Sequence, residues 1–292
     1  MANLRDIRRR IKSVKNTAQI TKAMQLVAAA KMKKAQDQAV AGRAYAEKLM
    51  GVLANLQASA KSINNPLLQE KEGDKELVLI VAADKGLCGG LNTNLQKKIF
   101  ADAKENQEFA IVGKKGSEMV TRLRKNTGFD AGILKDFQVK DPVPFEESRP
   151  VARFLTEKFL SGDYSSIKVI YTKFNNTMSQ EPSVVTLLPI QSDDLAVTGD
   201  AEGETEEVEY TFEPNAEEVL EKLLPLYVNF NVYQLIVESR ASEHSARMVA
   251  MKAATDNANQ LKDDLTLDYN KARQAAITAE LLEITTASMA AG

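Results

Sequence analysis

Taken at alternating steps of three and four, the positions Leu4, Ile7, Ile11, Val14, Ala18, Thr21, Gln25, Ala28, Met32, Ala35, Ala39, Gly42, Ala46, Leu49, Leu53, Leu56, Ala60 and Ile63 contain no charged residue. Only Thr21, Gln25 and Gly42 depart from an otherwise apolar seam. A seam kept in this register over such a distance specifies a left-handed coiled coil, because an ordinary amphipathic helix drifts out of a 3.5-residue repeat. At about 1.5 Å per residue the helix is roughly 90 Å long, far more than one globular domain needs. The alanines in mid-seam predict close approach of a partner helix, and the leucines near its end predict wider packing. Asn64-Asn65-Pro66 closes the helix, since the residue before proline is driven out of the helical region.

The partner is read at the other end of the chain. Helical character returns at Asn215, is broken or kinked near Pro225, and continues without Pro or Gly from Leu226 to Met289. Its apolar positions Val237, Ala241, His244, Met248, Met251, Ala254, Ala258, Leu261 and Leu265 again follow threes and fours. Between the helices, Leu77–Ala82 and Phe109–Val112 are short apolar runs, each followed by a glycine-containing turn and a helix-like stretch. Further strands are expected at Ile167–Phe174 and Val184–Pro189, with a helix over Glu146–Leu160. The predicted fold is α+β and helix-rich: a long antiparallel coiled coil of N- and C-terminal helices with an inserted Rossmann-like α/β domain. The expected boundaries are 1–65 for the first helix, 75–210 for the α/β domain and 213–292 for the second helix. Residues 193–209 carry eight acids and no base and read as a solvated loop.

Catalytic chemistry is hard to build from this chain. A single histidine, His244, excludes a histidine pair within one chain, and a single cysteine, Cys88, excludes an internal disulfide or a cysteine cluster. His244 is expected to pack or cap on the helix surface, and Cys88 to be a small buried filler. The loop Asp84-Lys85-Gly86-Leu87-Cys88-Gly89-Gly90-Leu91-Asn92 follows a strand and precedes a helix, where a phosphate could bind. Its glycines lack the offsets of a dinucleotide fingerprint, and no Gly-Lys-Ser/Thr follows, so a tight structural turn is the better reading. No cofactor, metal or catalytic residue is assigned. The net charge of -2 conceals a basic N-terminus, with ten Lys and Arg between Arg5 and Lys34 against the single acid Asp6 up to that point. Such a face could neutralise nucleic-acid phosphates, but an acidic protein sleeve fits it equally well. No apolar run approaches the roughly 20 residues that span a bilayer, so membrane association is expected only through partners.

Several segments taken together resemble the gamma subunits of F-type ATP synthases. They are Ile20-Thr21-Lys22-Ala23-Met24 with Val27-Ala28-Ala29-Ala30-Lys31-Met32, the loop Asp84 to Asn92, and Thr172-Lys173-Phe174-Asn175-Asn176-Thr177-Met178-Ser179-Gln180. The C-terminal segment is the most specific: Ala241-Ser242-Glu243-His244, Arg247-Met248, Ala254-Thr255-Asp256-Asn257-Ala258, Tyr269-Asn270, Arg273-Gln274 and Ile277-Thr278-Ala279-Glu280-Leu281-Leu282-Glu283-Ile284. The resemblance implies a non-catalytic central-stalk rotor of the F1 sector, coupling rotation of a membrane c-ring to the catalytic sites of beta subunits. It implies alpha and beta subunits in a hexamer, the epsilon subunit and the c-ring as partners, and no nucleic acid. It implies beta-subunit contacts at Met24, Arg273, Gln274, Thr278 and Glu280, and epsilon or c-ring contacts at Tyr210, Phe212 and Glu213. The implied location is the cytoplasmic side of the cell inner membrane, as a peripheral protein. Ala287-Ser288 stands where the family usually has a Gly-Ala pair, and the cysteine-bearing regulatory insertion of plant chloroplast relatives is absent, which points to a bacterial enzyme.

Overall fold

A computed structural model of the chain describes residues 4–59, 65–129, 132–190 and 215–290. In chain order the elements are α1 (Leu4–Ser59), β1 (Glu76–Val81), α2 (Leu91–Ala101), β2 (Gln107–Val112) and α3 (Lys114–Thr127), followed by β3 (Ile133–Phe137), α4 (Phe145–Leu160), β4 (Ser166–Phe174), β5 (Gln180–Leu188) and α5 (Ala216–Ala290). Their contacts group the chain into two units, the first of residues 1–29 and 247–292, the second of residues 30–246.

Unit 2 is organised by β1, whose six residues are all buried. A strand buried on both faces reads as a continuous apolar run and sits inside a parallel sheet covered by helices. The sheet order is β3-β2-β1-β4-β5, with β1 parallel to β2 and β4, β2 parallel to β3, and β5 antiparallel to β4. Because side chains alternate along a strand, β1 serves two cores. Val78 and Ile80 pack with Leu95 and Ile99 of α2 and Met119, Val120 and Leu123 of α3. Leu77, Leu79 and Val81 join the larger cluster, which includes Leu53 and Leu56 of α1, Val151 and Leu155 of α4, and Leu224, Val228 and Ile236 of α5. The inner ends of both long helices are thus part of the layer covering one sheet face.

The structure corrects the sequence reading in several places. The edge strand β3 was not anticipated, and α5 runs through Pro225 without a break. Gly42 interrupts the seam because its missing side chain admits Gln234, whose amide lies 2.9 Å from where a Cβ would stand. Gln234 Nε2 donates to the Ala39 carbonyl at 3.3 Å. His244 is buried rather than on the helix surface. Cys88, in the loop between β1 and α2, is buried as the sequence reading expected, with Asn92 Nδ2 donating to its Sγ at 3.3 Å.

At the opposite end of β1 from that loop, Glu76 receives Lys168 Nζ at 2.8 Å and Lys104 Nζ at 3.0 Å on Oε1, and Gln107 Nε2 at 2.8 Å on Oε2. Burial alone would raise this carboxyl, but the Lys168, Gln107 and Lys104 bonds outweigh it and lower it from 4.5 to about 2. A carboxylate depressed on folding stabilises the fold above its unfolded value and loses that contribution as pH falls through the folded one. We therefore expect Glu76→Gln to cost about 2–3 kcal/mol at pH 7. In urea unfolding series, the gap between the variant and the parent should close between about pH 4.5 and about pH 2. A gap that stays constant across that range would refute the assignment.

Candidate partner-binding surface

Unit 1 pairs the first part of α1 with the last part of α5. Ile7, Ala18, Thr21 and Ala28 of α1 are buried, as are Met251, Thr255 and Ala258 of α5. The seam in α5 therefore runs through Thr255 rather than Ala254, and Leu261, expected in it, is 49% exposed. The Thr21 and Thr255 hydroxyls lie 2.7 Å apart, and each also reaches a carbonyl of its own helix, Ala18 at 3.1 Å and Met251 at 2.8 Å. With one proton each, one hydroxyl donates across the pair while the other donates to its own backbone, so both are satisfied in a dry seam.

This pairing fixes where α5 runs out of partner. Leu4 lies 17 residues before Thr21, and 17 residues after Thr255 is Ala272. Every residue from Arg273 to Met289 is exposed, including Ile277, Leu281, Leu282, Ile284 and Met289 at 49–85%. A helix of this length with a bare apolar stripe gains little from its own hydrogen bonds in water and is stabilised by whatever covers it.

All the residues named for beta-subunit contact and found within the described residues fall in unit 1. Arg273, Gln274, Thr278 and Glu280 lie on the unpaired length of α5. At about 100° per residue, Arg273, Ile277, Glu280 and Ile284 share one arc of roughly 60°, and Gln274, Thr278 and Leu281 occupy the next. The Thr278 hydroxyl donates to the Gln274 carbonyl at 3.0 Å, which leaves its oxygen free to accept from elsewhere. Met24 is half-buried one turn beyond Thr21, between Ile20 and Val27, which are 61% and 57% exposed. Ile20, Met24 and Val27 form an apolar stripe at helical spacing that sequence reasoning did not single out beyond Met24. Tyr210, Phe212 and Glu213 lie outside the described residues.

The glycine-rich loop after β1 is built differently from a phosphate cradle. Asp84 Oδ1 accepts from the Lys114 amide at 3.2 Å, and Oδ2 lies 2.6 Å from Arg240 Nη2. A carboxylate at the mouth of the loop repels a phosphate, and its role here is to tie α3 and α5 to β1. At the loop tip Leu87 is 63% exposed at φ 61, in the left-handed region. Among the described residues no group of three potential metal ligands is found.

The family model described as ATP synthase matches residues 3–291. The chain is 46% identical over 299 residues to the ATP synthase gamma chain of Opitutus terrae, covering 100% of this chain and 99% of that one. It is 45% identical over 294 residues to that of Methylacidiphilum infernorum, with both chains covered fully. Among solved structures it is similar to a chain of the Euglena gracilis mitochondrial ATP synthase OSCP/F1/c-ring assembly, with a TM-score of 0.66, 20% identity, and coverage of 98% of this chain and 94% of that one. It is also similar to a chain of the Tetrahymena thermophila mitochondrial ATP synthase central stalk and c-ring, with a TM-score of 0.58, 23% identity, and coverage of 80% and 99%.

Proposed function

The chain belongs to the ATP synthase gamma-chain family, and from that premise we propose that it is the rotating central shaft of an F1 sector. The observation that supports this reading is the end of α5, where an unpaired helix carries polar and apolar side chains that need an enclosing partner. In this reading the ring of alternating alpha and beta subunits encloses unit 1, and catalysis belongs to beta. Met24 bears on a moving segment of beta, while Arg273, Gln274, Thr278 and Glu280 make the polar contacts. Tyr210, Phe212 and Glu213 meet epsilon and the c-ring, within a division into helix 1–65, α/β domain 75–210 and helix 213–292. No described helix is long and apolar enough to cross a membrane. The chain is held at the cytoplasmic face of the inner membrane through the c-ring.

The test is to mix the chain with its cognate alpha and beta subunits. One chain per hexamer, co-eluting with sustained ATP turnover, is the expected result, and a folded chain that fails to assemble would overturn the proposal. Within the complete enzyme, Arg273 is expected to matter most, because a guanidinium grips a carboxylate at two points. Arg273→Ala should reduce ATP-driven ion pumping roughly fivefold, as hot-spot arginines do at interfaces. The melting temperature of the isolated chain should stay within about 2 °C, since the side chain is exposed. Unchanged pumping would remove Arg273 from the contact set.

A further inference from the structure

The β3–α4 loop, residues 138–144, is gripped from four points on the two long helices, all within unit 2. From α1, Lys31 Nζ lies 2.7 Å from Asp141 Oδ2, and Gln38 Nε2 donates to the Val143 carbonyl at 3.0 Å. Lys31 and Gln38 are seven residues apart and so lie on one face of the helix. From α5, His244 Nε2 lies 3.1 Å from the same Asp141 oxygen, and Arg240 Nη2 reaches the Val139 carbonyl at 3.5 Å. Arg240 and His244 are one turn apart. The loop is itself seated in the core by Val139 and Val143, which are 7% and 1% exposed. Asp141 therefore bridges α1 and α5 through one carboxylate oxygen while its own loop is fixed to the sheet.

The two bridges differ in kind. The His244 side chain is 5% exposed and Lys31 is 47% exposed, so loss of the carboxylate takes a close contact from a buried imidazole but releases the ammonium to water. The close approach of His244 Nε2, and after it the Lys31 hydrogen bond, hold the Asp141 carboxyl well below the usual carboxylate range in spite of burial. On the same helix as His244, Arg240 pairs with Glu243 and with Asp84 of the β1–α2 loop, and Arg247, three residues beyond His244, is buried as well.

We propose that Asp141 is the key of a torque clamp, a positioning residue that fixes the azimuth of both long helices against the α/β domain. Apolar packing is non-directional and lets helices slip about their axes, whereas a shared ionic bridge with carbonyl contacts above and below holds one angle. Twist then passes between the sheet and both helices together at the level of Lys31 and His244. This rests on the shaft reading, since a clamp against twist has a use only in a chain that transmits torque.

The test uses the complete enzyme in vesicles carrying Asp141→Asn, His244→Gln or, as a control, Glu157→Gln, whose exposed partner is Arg153. Three quantities are read: ATP hydrolysis, ions pumped per ATP hydrolysed, and amide hydrogen exchange in residues 138–144. Asp141→Asn is expected to speed exchange in the loop at least about tenfold, since buried bridges are costly to break. It should lower pumping per ATP about threefold, with hydrolysis kept within about twofold because the catalytic groups lie elsewhere. His244→Gln keeps an N–H toward Asp141 and should retain most of the coupling, and Glu157→Gln should behave as the parent. A loosened loop with the parent's pumping per ATP would make the bridge merely structural and overturn the proposal, as would unchanged exchange. Failure of the unsubstituted chain to assemble would instead overturn the shaft reading, an outcome seen before any variant is made.

Discussion

Arg240→Ala is expected to lower the unfolding free energy of the chain by about 3–5 kcal/mol, the range for removing one partner from a buried ionic group. Arg240 is 4% exposed; its Nη1 lies 2.8 Å from Glu243 Oε2 and its Nη2 lies 2.6 Å from Asp84 Oδ2. Removal takes the Arg240 guanidinium from Glu243, a carboxylate 5% exposed, and from Asp84, which ties the loop after β1 to α5. The comparison that isolates this cause is Arg240→Ala with Glu243→Gln: neutralising the stranded carboxylate should recover about 1 kcal/mol or more. Arg153→Ala is the opposite case, because that pair is 81% and 60% exposed and such pairs contribute little to stability. Urea midpoints of the three variants against the parent would decide it. A loss below about 1 kcal/mol for Arg240→Ala would show that Glu243 finds water or another donor, and the ionic account would fail.

The same group shows why part of the molecule was legible in the sequence and part was not. The α1 seam was legible because one rule, an apolar residue every 3.5 positions, repeats over the whole helix, and each described position in it is buried or half-buried. The strand β1 was legible because Leu77 to Val81 are five consecutive buried apolar residues with no polar interruption after Glu76. By contrast β3 is exposed at four of its five residues, Ile133 to Asp136, and two of these, Lys135 and Asp136, are charged, so neither periodicity nor apolarity marks it. In α5 the small residues Ala253, Ala254 and Thr255 are consecutive, and only the hydroxyl pair with Thr21 chooses Thr255 for the seam. That choice shifts the phase and turns Leu261 outward. The burial of Arg240, Glu243 and His244 depends on Asp84, Asp141 and Lys31, which are distant in the chain, so a reading of α5 alone places these charges on its surface. The contact residues on α5 were named by resemblance, and what the structure adds is that they lie on a length of helix exposed from Arg273 to Met289.

Gly113→Ala is expected to be as damaging as the loss of Arg240, about 3–5 kcal/mol, with strain and overpacking acting together. Gly113 ends β2 and opens α3 at φ 96, where an L side chain is strained, and a Cβ there would stand 2.1 Å from the Ala82 carbonyl oxygen. That oxygen belongs to backbone just past β1 and cannot rotate away as a side chain would. Gly128 separates the two contributions, because it takes φ 73 at the end of α3 with nothing within 4 Å of its absent Cβ. Gly128→Ala should therefore cost only about 1 kcal/mol, the strain alone. Equal losses for the two variants in thermal unfolding would mean that the β1 end moves aside and the clash account is wrong. The position also bears on the shaft, since the Lys114 amide next to Gly113 holds Asp84, and Asp84 holds Arg240. Displacing the start of α3 thus loosens the α5 side of the clamp from the sheet, and faster exchange should reach residues 138–144.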